Sequence, residues 1–537
     1  MTPPIPRFFL VGLLGLFVLH AWVWQPTEPH HNSDENRHVM TGVFVRDALF
    51  DAAWTDPIGY AQRYYLQYPA LGLLAWPPLF YVVEGMAMSL FGTSFVTAQL
   101  CVAAFALMAL VFMFRWVRLT TGHPRIAVAS AILFGLTPLG FRYSRHVMLE
   151  MPTLAWCFTA MFYFERYLAE GRRGDPMRVG LFAAFAALTR FDAVFLLLYF
   201  CIRLIANHRL HELRRPAVLL GIFLALMLTA PYYFLTWKYY GSTLAQAVQQ
   251  GTMPQSRSFD VWHNLPYYPS RIRWQVDWPI AVAAVLGLFR SRQFPGFLGS
   301  SLALALSVYL TMTPLAELED RHVIYWIPAL ATWASGAAES LPARWREIGY
   351  ALLIVGTALS RTWDFPSTLH GYAEAAQKVL QQPRESHVVF FDGALSGNFI
   401  YQIRRHDTER SVMVLRGDKL VYGVRSDPAG GYVEWTRTPE DILSLLYRYD
   451  PDWVIIEAPQ AIYPDLPGPR LLRQTLLDHP ERYEHVSDMD VRLRGTHPEF
   501  QGVVLEFYRP RLRNPRRERL LEMPMLSLGK PLRAPAD

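Results

Sequence analysis

The chain has 537 residues, of which 52% are hydrophobic and 18% charged, and its formal net charge is +6. Soluble domains carry about a quarter charged residues, so this composition excludes a disordered or fibrous chain and argues against an ordinary soluble enzyme. The mild positive charge does not point to nucleic acid as a partner.

The average hides a split. Residues 8–361 are crowded with apolar runs, whereas residues 362–537 read like a globular domain. The expected fold class is an α-helical polytopic membrane protein with a C-terminal α/β domain outside the membrane. Three parts are expected: a transmembrane domain over 1–361, an α/β domain over 362–508, and a basic, disordered tail over 509–537. Cys101, Cys157 and Cys201 all lie in apolar runs. The C-terminal part therefore has no intrachain disulfide and no thiolate zinc site.

A bilayer core of ~30 Å needs about 20 apolar residues as helix. The run Phe8–Trp24 fits and reads as a retained helix, since no small-residue cleavage site follows it. Further spans are predicted at 94–114, 126–141, 150–168, 178–189, 191–206, 217–237, 278–290, 295–313, 322–338 and 348–361, eleven crossings in all. Alternate connections hold the Arg residues at 115, 118 and 125, at 166, 172, 173 and 178, at 203, 209, 214 and 215, at 290 and 292, and at 344 and 346. Positive charge concentrates on the cytoplasmic side, so the N-terminus is expected inside and the long connections 25–93 and 238–277 outside. The run 178–206 is nearly continuous and could be read as one long helix, but keeping its flanking Arg clusters on one side requires an even number of crossings. Its tip is then Thr189-Arg190-Phe191-Asp192, because Arg at mid-membrane costs roughly 2.5–3.5 kcal/mol.

The first outer loop reads His30-His31-Asn32-Ser33-Asp34-Glu35-Asn36-Arg37-His38. On a helix, Asp34, Arg37 and His38 share a face. A solvated helix start reads the same way, and a metal site from His30, His31, Asp34 or His38 is an alternative without a diagnostic spacing. Then come Tyr68-Pro69, Trp76-Pro77-Pro78-Leu79-Phe80-Tyr81 and Leu90-Phe91-Gly92. The stretch 77–92 is too short to span and is expected to lie in the membrane interface. The second outer loop, Arg142 to Pro152, contains Arg145 and His146 and ends where Glu150 opens an apolar helix. A carboxylate there is a functional candidate, with a favourable helix-dipole position as the plainer reading. Arg190 with Asp192, the run Glu317–His322, and Arg257, His263, Arg271 and Arg273 add outer-edge charge.

Carboxylates and Arg residues at an outer membrane surface suit a substrate built of lipid, phosphate and sugar. Arg binds phosphate in a fork. A carboxylate can deprotonate an acceptor hydroxyl as it attacks the anomeric carbon. The phosphate leaving group needs charge stabilisation more than an acid. A transporter or flippase of lipid-linked sugar would use the same groups for binding, but such proteins are commonly built from internal repeats, and no convincing repeat is present.

The Asp34-Glu35 pair after the first helix, the Pro-Pro-Leu-x-Tyr run, the Leu-Phe-Gly that ends it, and Met148-Leu149-Glu150-Met151-Pro152 resemble the protein O-mannosyltransferase and aminoarabinose transferase family. The run from Arg321-His322 through Tyr325, Pro328 and Ala329 is similar to that family's late helix motif. The similarity covers roughly residues 8–361. It implies a GT-C fold and inverting sugar transfer from a polyprenyl-phosphate donor to an acceptor hydroxyl outside the membrane, with no cofactor required. It implies Asp34 as base with Glu35 beside it, Glu150 as second acid, Arg37 near the donor phosphate and Arg190 as a phosphate ligand. Arg145 and Arg321 are further phosphate candidates, and His38, Tyr68, His146 and His322 are candidates for sugar or lipid-head contacts. Two departures stand out: the second acid is Glu where the family more often has Asp, and Arg190 stands where Lys is frequent. The sugar and the acceptor are not readable. The partners expected are the donor, an acceptor and membrane lipid.

In the C-terminal part, strands are expected at 387–392, 411–415, 453–457 and 503–508, and helices at 371–381, after Ser396-Gly397-Asn398, at 439–447 and at 470–478, a small α/β domain. Asp392-Gly393 invites a nucleotide reading but lacks a glycine-rich phosphate loop. A scaffold or acceptor-binding role is the better expectation.

Overall fold

A computed structural model describes residues 7–23, 33–240, 261–290, 295–315, 318–365, 367–381, 387–424, 432–461, 465–494, 502–514, 520–524 and 531–535. His30, His31, Arg257, Arg292 and Glu317, singled out above, lie outside the described residues. The chain folds into two compact units. The first comprises the described residues within Met1–Trp24, Leu74–Phe80 and Gln99–Phe365; the second comprises those within Gln25–Leu73, Tyr81–Ala98 and Pro366–Asp537.

The first unit is helical. Its main helices are Arg7–Val23, most of Phe95–Thr121, Pro124–Leu136, Glu150–Glu170, Asp175–Ala187, Phe195–Ala206, Pro216–Tyr240, Trp278–Arg290, Pro295–Met312, Ile327–Glu339 and Ala343–Arg361. The run 126–141, expected as one span, is two helices. Pro138 cannot donate a backbone hydrogen bond, so the first helix stops at Leu136. Thr137 then caps the short helix Pro138–Tyr143 through Gly140 N at 3.2 Å. The run 178–206 is broken where expected. The helix Asp175–Ala187 ends, Arg190 is extended (φ −157°, ψ 140°), and one turn at Phe191–Val194 leads into Phe195–Ala206.

The helices Asp175–Ala187 and Pro216–Tyr240 cross at Gly180 and Gly221, where an added Cβ would strike the opposing backbone. Such small-residue crossings are a membrane packing device. Among the described residues, Phe95–Thr121 and Pro216–Tyr239 are long and apolar enough to cross a membrane; Pro124–Leu136, Trp278–Arg290 and Leu298–Met312 are shorter apolar helices. Pro216–Tyr240 leaves Leu219, Leu220, Phe223, Leu226, Met227 and Phe234 exposed. A helix apolar on its open face needs lipid rather than water as its solvent. The protein is a membrane protein.

The second unit combines the helices Ser33–Phe50, Pro57–Gln67 and, from Tyr81, Leu79–Phe91 with an α/β fold. Its five-stranded sheet runs Val412–Arg416, His387–Asp392, Trp453–Ala458, Val504–Pro510, Tyr483–Asp490. The first three strands are parallel, in register Val389↔Val414 and Phe390↔Val454, and the last two are antiparallel. The central strands His387–Asp392 and Trp453–Ala458 are buried throughout, as parallel strands covered on both faces must be. The helix Pro439–Tyr449 starts with a capping box, Thr438 with Asp441. Tyr483–Asp490 was not anticipated as a strand. It is a largely exposed edge strand rich in acidic residues, the composition that blunts sheet edges and hides them from propensity.

The stretch 509–537, expected to be a disordered tail, instead contains a strand pair. Leu520–Met523 and Leu532–Pro535 pair antiparallel, and Leu521 and Met523 join a core that includes Leu446, Tyr449 and Tyr508. Those apolar side chains supply the burial that the tail's Arg and Pro content concealed.

Candidate active site

In the first unit, Glu150 opens the helix Glu150–Glu170 and is fully buried. Arg190, held out by the helix break, donates from Nη1 to Glu150 Oε1 at 2.7 Å and from Nε to Asp192. Arg190 and Asp192 are buried as well. One guanidinium therefore serves two carboxylates, and Glu150 Oε2 keeps no hydrogen-bond partner among the described residues. The Tyr325 hydroxyl is also buried, without a partner among the described residues, and its ring packs 5.1 Å from Phe195. The break after Ala187 thus brings together three residues singled out from sequence, Glu150, Arg190 and Asp192, and Tyr325 completes the surroundings.

The other predicted groups of this unit sit in distinct settings. Arg145 is buried, donates from Nε to Phe141 O at 3.3 Å, and lies 4.1 Å over the Phe141 ring. His146 is half-buried, 6.1 Å from the Tyr143 ring. Arg321 pairs with Glu319, and His322 beside it is buried. Arg271 forms a two-pronged pair with Asp320, at 2.9 Å from Nε and 2.8 Å from Nη2.

In the second unit, Asp34, Glu35, Arg37 and His38 lie in the first turns of Ser33–Phe50. Arg37 Nη1 is 3.6 Å from Asp34 Oδ1, and their side chains are 40% and 20% exposed. Glu35 and His38 turn inward and are buried. His38 Nδ1 lies 2.6 Å from the Tyr81 hydroxyl. Tyr68 is buried, and its hydroxyl donates to Asp407 at 3.3 Å, which makes it a packing residue of the α/β body here. On the same helix, Asp47 accepts from Arg404 at 2.6 Å and from Tyr64 at 2.7 Å.

A small polar cavity lies within this unit, lined by Asn36, Arg37, Ala394 to Gly397 and Arg416. Arg416 ends a parallel strand and is held by Asp418 and Pro69 O. Ser396 opens the helix Ser396–His406. The cavity thus sits at the carboxyl ends of parallel strands, beside the strand from which the chain turns to either side, a place where α/β folds bind ligands. Arg416 was missed from sequence; its place at the end of a strand-like run just before Gly417 was the available signal. Behind the cavity Asp392 is buried, accepting from Tyr422 at 2.9 Å and Gln460 at 3.3 Å. Burial, with the Asp418 charge next, pushes its carboxyl up to about 7. Among the described residues, no group of three or more His, Cys, Asp or Glu is placed to hold a metal ion.

Residues 75–237 match the family model of dolichyl-phosphate-mannose-protein mannosyltransferase. The structure is similar over 93% of this chain and 98% of the other to ArnT from Cupriavidus metallidurans bound to undecaprenyl phosphate, with a TM-score of 0.65 and 14% identity. The apo state of that protein aligns with a TM-score of 0.60. The chain has the GT-C fold. The archaeal oligosaccharyltransferase AglB from Archaeoglobus fulgidus, in complex with an inhibitory peptide and a dolichol-phosphate, is a more distant likeness. It shows a TM-score of 0.51 and 10% identity, over 84% of this chain and 70% of that one. No curated protein sequence matches this chain. The resemblance to the mannosyltransferase and aminoarabinose transferase family read from the GT-C chain's motifs is thus shown.

Proposed function

We propose that this GT-C protein transfers a sugar from a polyprenyl-phosphate donor to an acceptor hydroxyl outside the membrane. The observation that carries this reading is the buried Glu150–Arg190–Asp192 cluster with one Glu150 oxygen unpartnered, in a segment matched by the mannosyltransferase family model. In this reading Asp34 removes the acceptor's proton, and the acceptor oxygen forms its bond to the anomeric carbon. The carbon–oxygen bond to phosphate breaks with inversion, and polyprenyl phosphate leaves. Arg37 and Arg190 are its phosphate ligands, with Arg145 and Arg321 as further cations. Glu150 is the second acid. Glu35 supports Asp34, and His38, His146 and His322 are assigned to the surroundings of sugar and lipid head, whereas Tyr68 is left to packing. The phosphate is a good leaving group once its charge is met by Arg, so the step needs no metal.

Eleven crossings, an N-terminus in the cytoplasm and an external α/β domain over 362–508 belong to the same reading. The test is mass spectrometry of polyprenyl-phosphate sugars in cells that are wild type, deleted, or deleted and carrying Asp34→Asn. One donor accumulating equally in both mutant strains is the expected result and names the sugar. Accumulation in the deletion alone removes Asp34 from the chemistry. No change in any strain overturns transfer in favour of transport or binding.

A further inference from the structure

The helix Ser33–Phe50, which carries Asp34 and Arg37, meets the helix Leu79–Phe91 along one line within the second unit. His38 Nδ1 and the Tyr81 hydroxyl, 2.6 Å apart, make the first point. One turn further, Glu84 packs so tightly on Gly42 that a Cβ there would collide with its carboxyl group. At the third point, a Cβ on Gly85 would fall 2.9 Å from Val45 Cβ and 3.0 Å from Arg46 N. The spacings 38, 42, 45 and 81, 84, 85 follow helix periodicity, so the two helices have one register.

Glu84 is fully buried, and among the described residues neither of its carboxyl oxygens has a hydrogen-bond partner. The outer face of its helix exposes Val82, Met86, Leu90 and Phe91 instead. Burial drives the Glu84 carboxyl well above the usual carboxylate range; the titratable and charged groups of the facing helix are Asp34, Glu35, Arg37, His38, Arg46 and Asp47. Tyr81 is the other titratable group on its own helix. A Gly in a helix interior and an unpaired buried acid are both unfavourable. Their meeting on the helix that bears Asp34 marks a site rather than filler.

We propose that Glu84 is a positioning residue: as a neutral acid it seats the helix Ser33–Phe50 through Gly42, and its ionisation unseats that helix together with Asp34 and Arg37. The inference rests on the donor reading above. An anion buried between these helices is cut off from water, so it is hydrated only if they part. The raised carboxyl sets the sign: the seat is complete in acid and is lost as pH rises through the raised value.

The test uses the full-length protein in detergent, wild type and Glu84→Gln, between about pH 6 and about pH 10. Three readouts are taken: hydrogen exchange of residues 33–50 relative to the helix 396–406, undecaprenyl phosphate binding by tryptophan fluorescence, and the infrared carbonyl band of protonated carboxylic acids. In wild type, exchange at 33–50 is expected to rise more steeply than the chemical rate. Affinity is expected to fall by up to roughly tenfold per pH unit past the ionisation. In Glu84→Gln both excesses vanish, together with one carboxylic-acid band. The same steepening in Glu84→Gln, or no band lost, overturns the proposal. If Glu84→Gln does not fold, Gly42→Ala presses the seat from the other side. Raised exchange at 33–50 already at low pH then supports the seat, and unchanged exchange overturns it. Exchange that follows Glu84 while undecaprenyl phosphate binds at no pH supports the seat and overturns the donor reading instead.

Discussion

Arg190 carries more than one task. It is buried between Glu150 and Asp192, so removing its charge leaves two buried carboxylates facing each other. Breaking a buried ion pair costs about 3–5 kcal/mol. Arg190→Gln is expected to lower the melting temperature of the purified protein sharply. Arg190→Lys keeps the charge but cannot fork between two carboxylates and a phosphate. That variant is expected to fold and to bind undecaprenyl phosphate roughly tenfold more weakly, a loss of about 1.4 kcal/mol, as measured by titration. Wild-type affinity in Arg190→Lys would remove Arg190 from the phosphate site. The candidate residues Glu150 and Arg190 were legible because charge inside apolar runs is costly enough to need a reason. Glu84 was not. A single acid in a short apolar helix reads as a solvated face until its burial and the gap at Gly42 are known.

Elements were legible in proportion to their burial. The central strands His387–Asp392 and Trp453–Ala458 are continuous apolar runs, and their positions were readable to within a residue or two. The edge strand Tyr483–Asp490 and the pair Leu520–Met523 and Leu532–Pro535 were not, because pairing partners rather than propensity define them. Asp392, at the end of its buried strand, is expected to make the α/β elements sensitive to pH. Its carboxyl is pushed up to about 7 by burial and by the Asp418 charge, and Glu457 adds to the rise. A raised carboxyl contributes stability that is complete below the usual carboxylate range and is lost as pH rises through about 7. Thermal melts should show wild type losing stability between about pH 5 and about pH 8. Asp392→Asn, which has no proton to lose, should be flatter over that range. Parallel curves for the two proteins would place the titrating group elsewhere.

At the scale of the whole molecule, the eleven-crossing arrangement puts the connection at Arg172 in the cytoplasm and Trp363 outside. Both are exposed. In a chain with Cys101, Cys157 and Cys201 replaced, a cysteine at position 363 is expected to react with a membrane-impermeant maleimide in intact cells. One at position 172 should react only after the membrane is opened. The reverse pattern would invert the orientation, and reaction of both in intact cells would break the assumed number of crossings. The sequence by itself determined the membrane character, the helix break at Thr189 to Asp192, the α/β order of the C-terminal part and the family resemblance. Each of these is written in local hydrophobicity, in the cost of charge in lipid, or in short motifs. Only the tertiary structure decided that Arg190 is shared by Glu150 and Asp192, that Arg416 lines a cavity beside Arg37, and that Glu84 lies buried against Gly42. These are contacts between residues distant in the chain, and local sequence carries no term for which distant group will supply or withhold a partner.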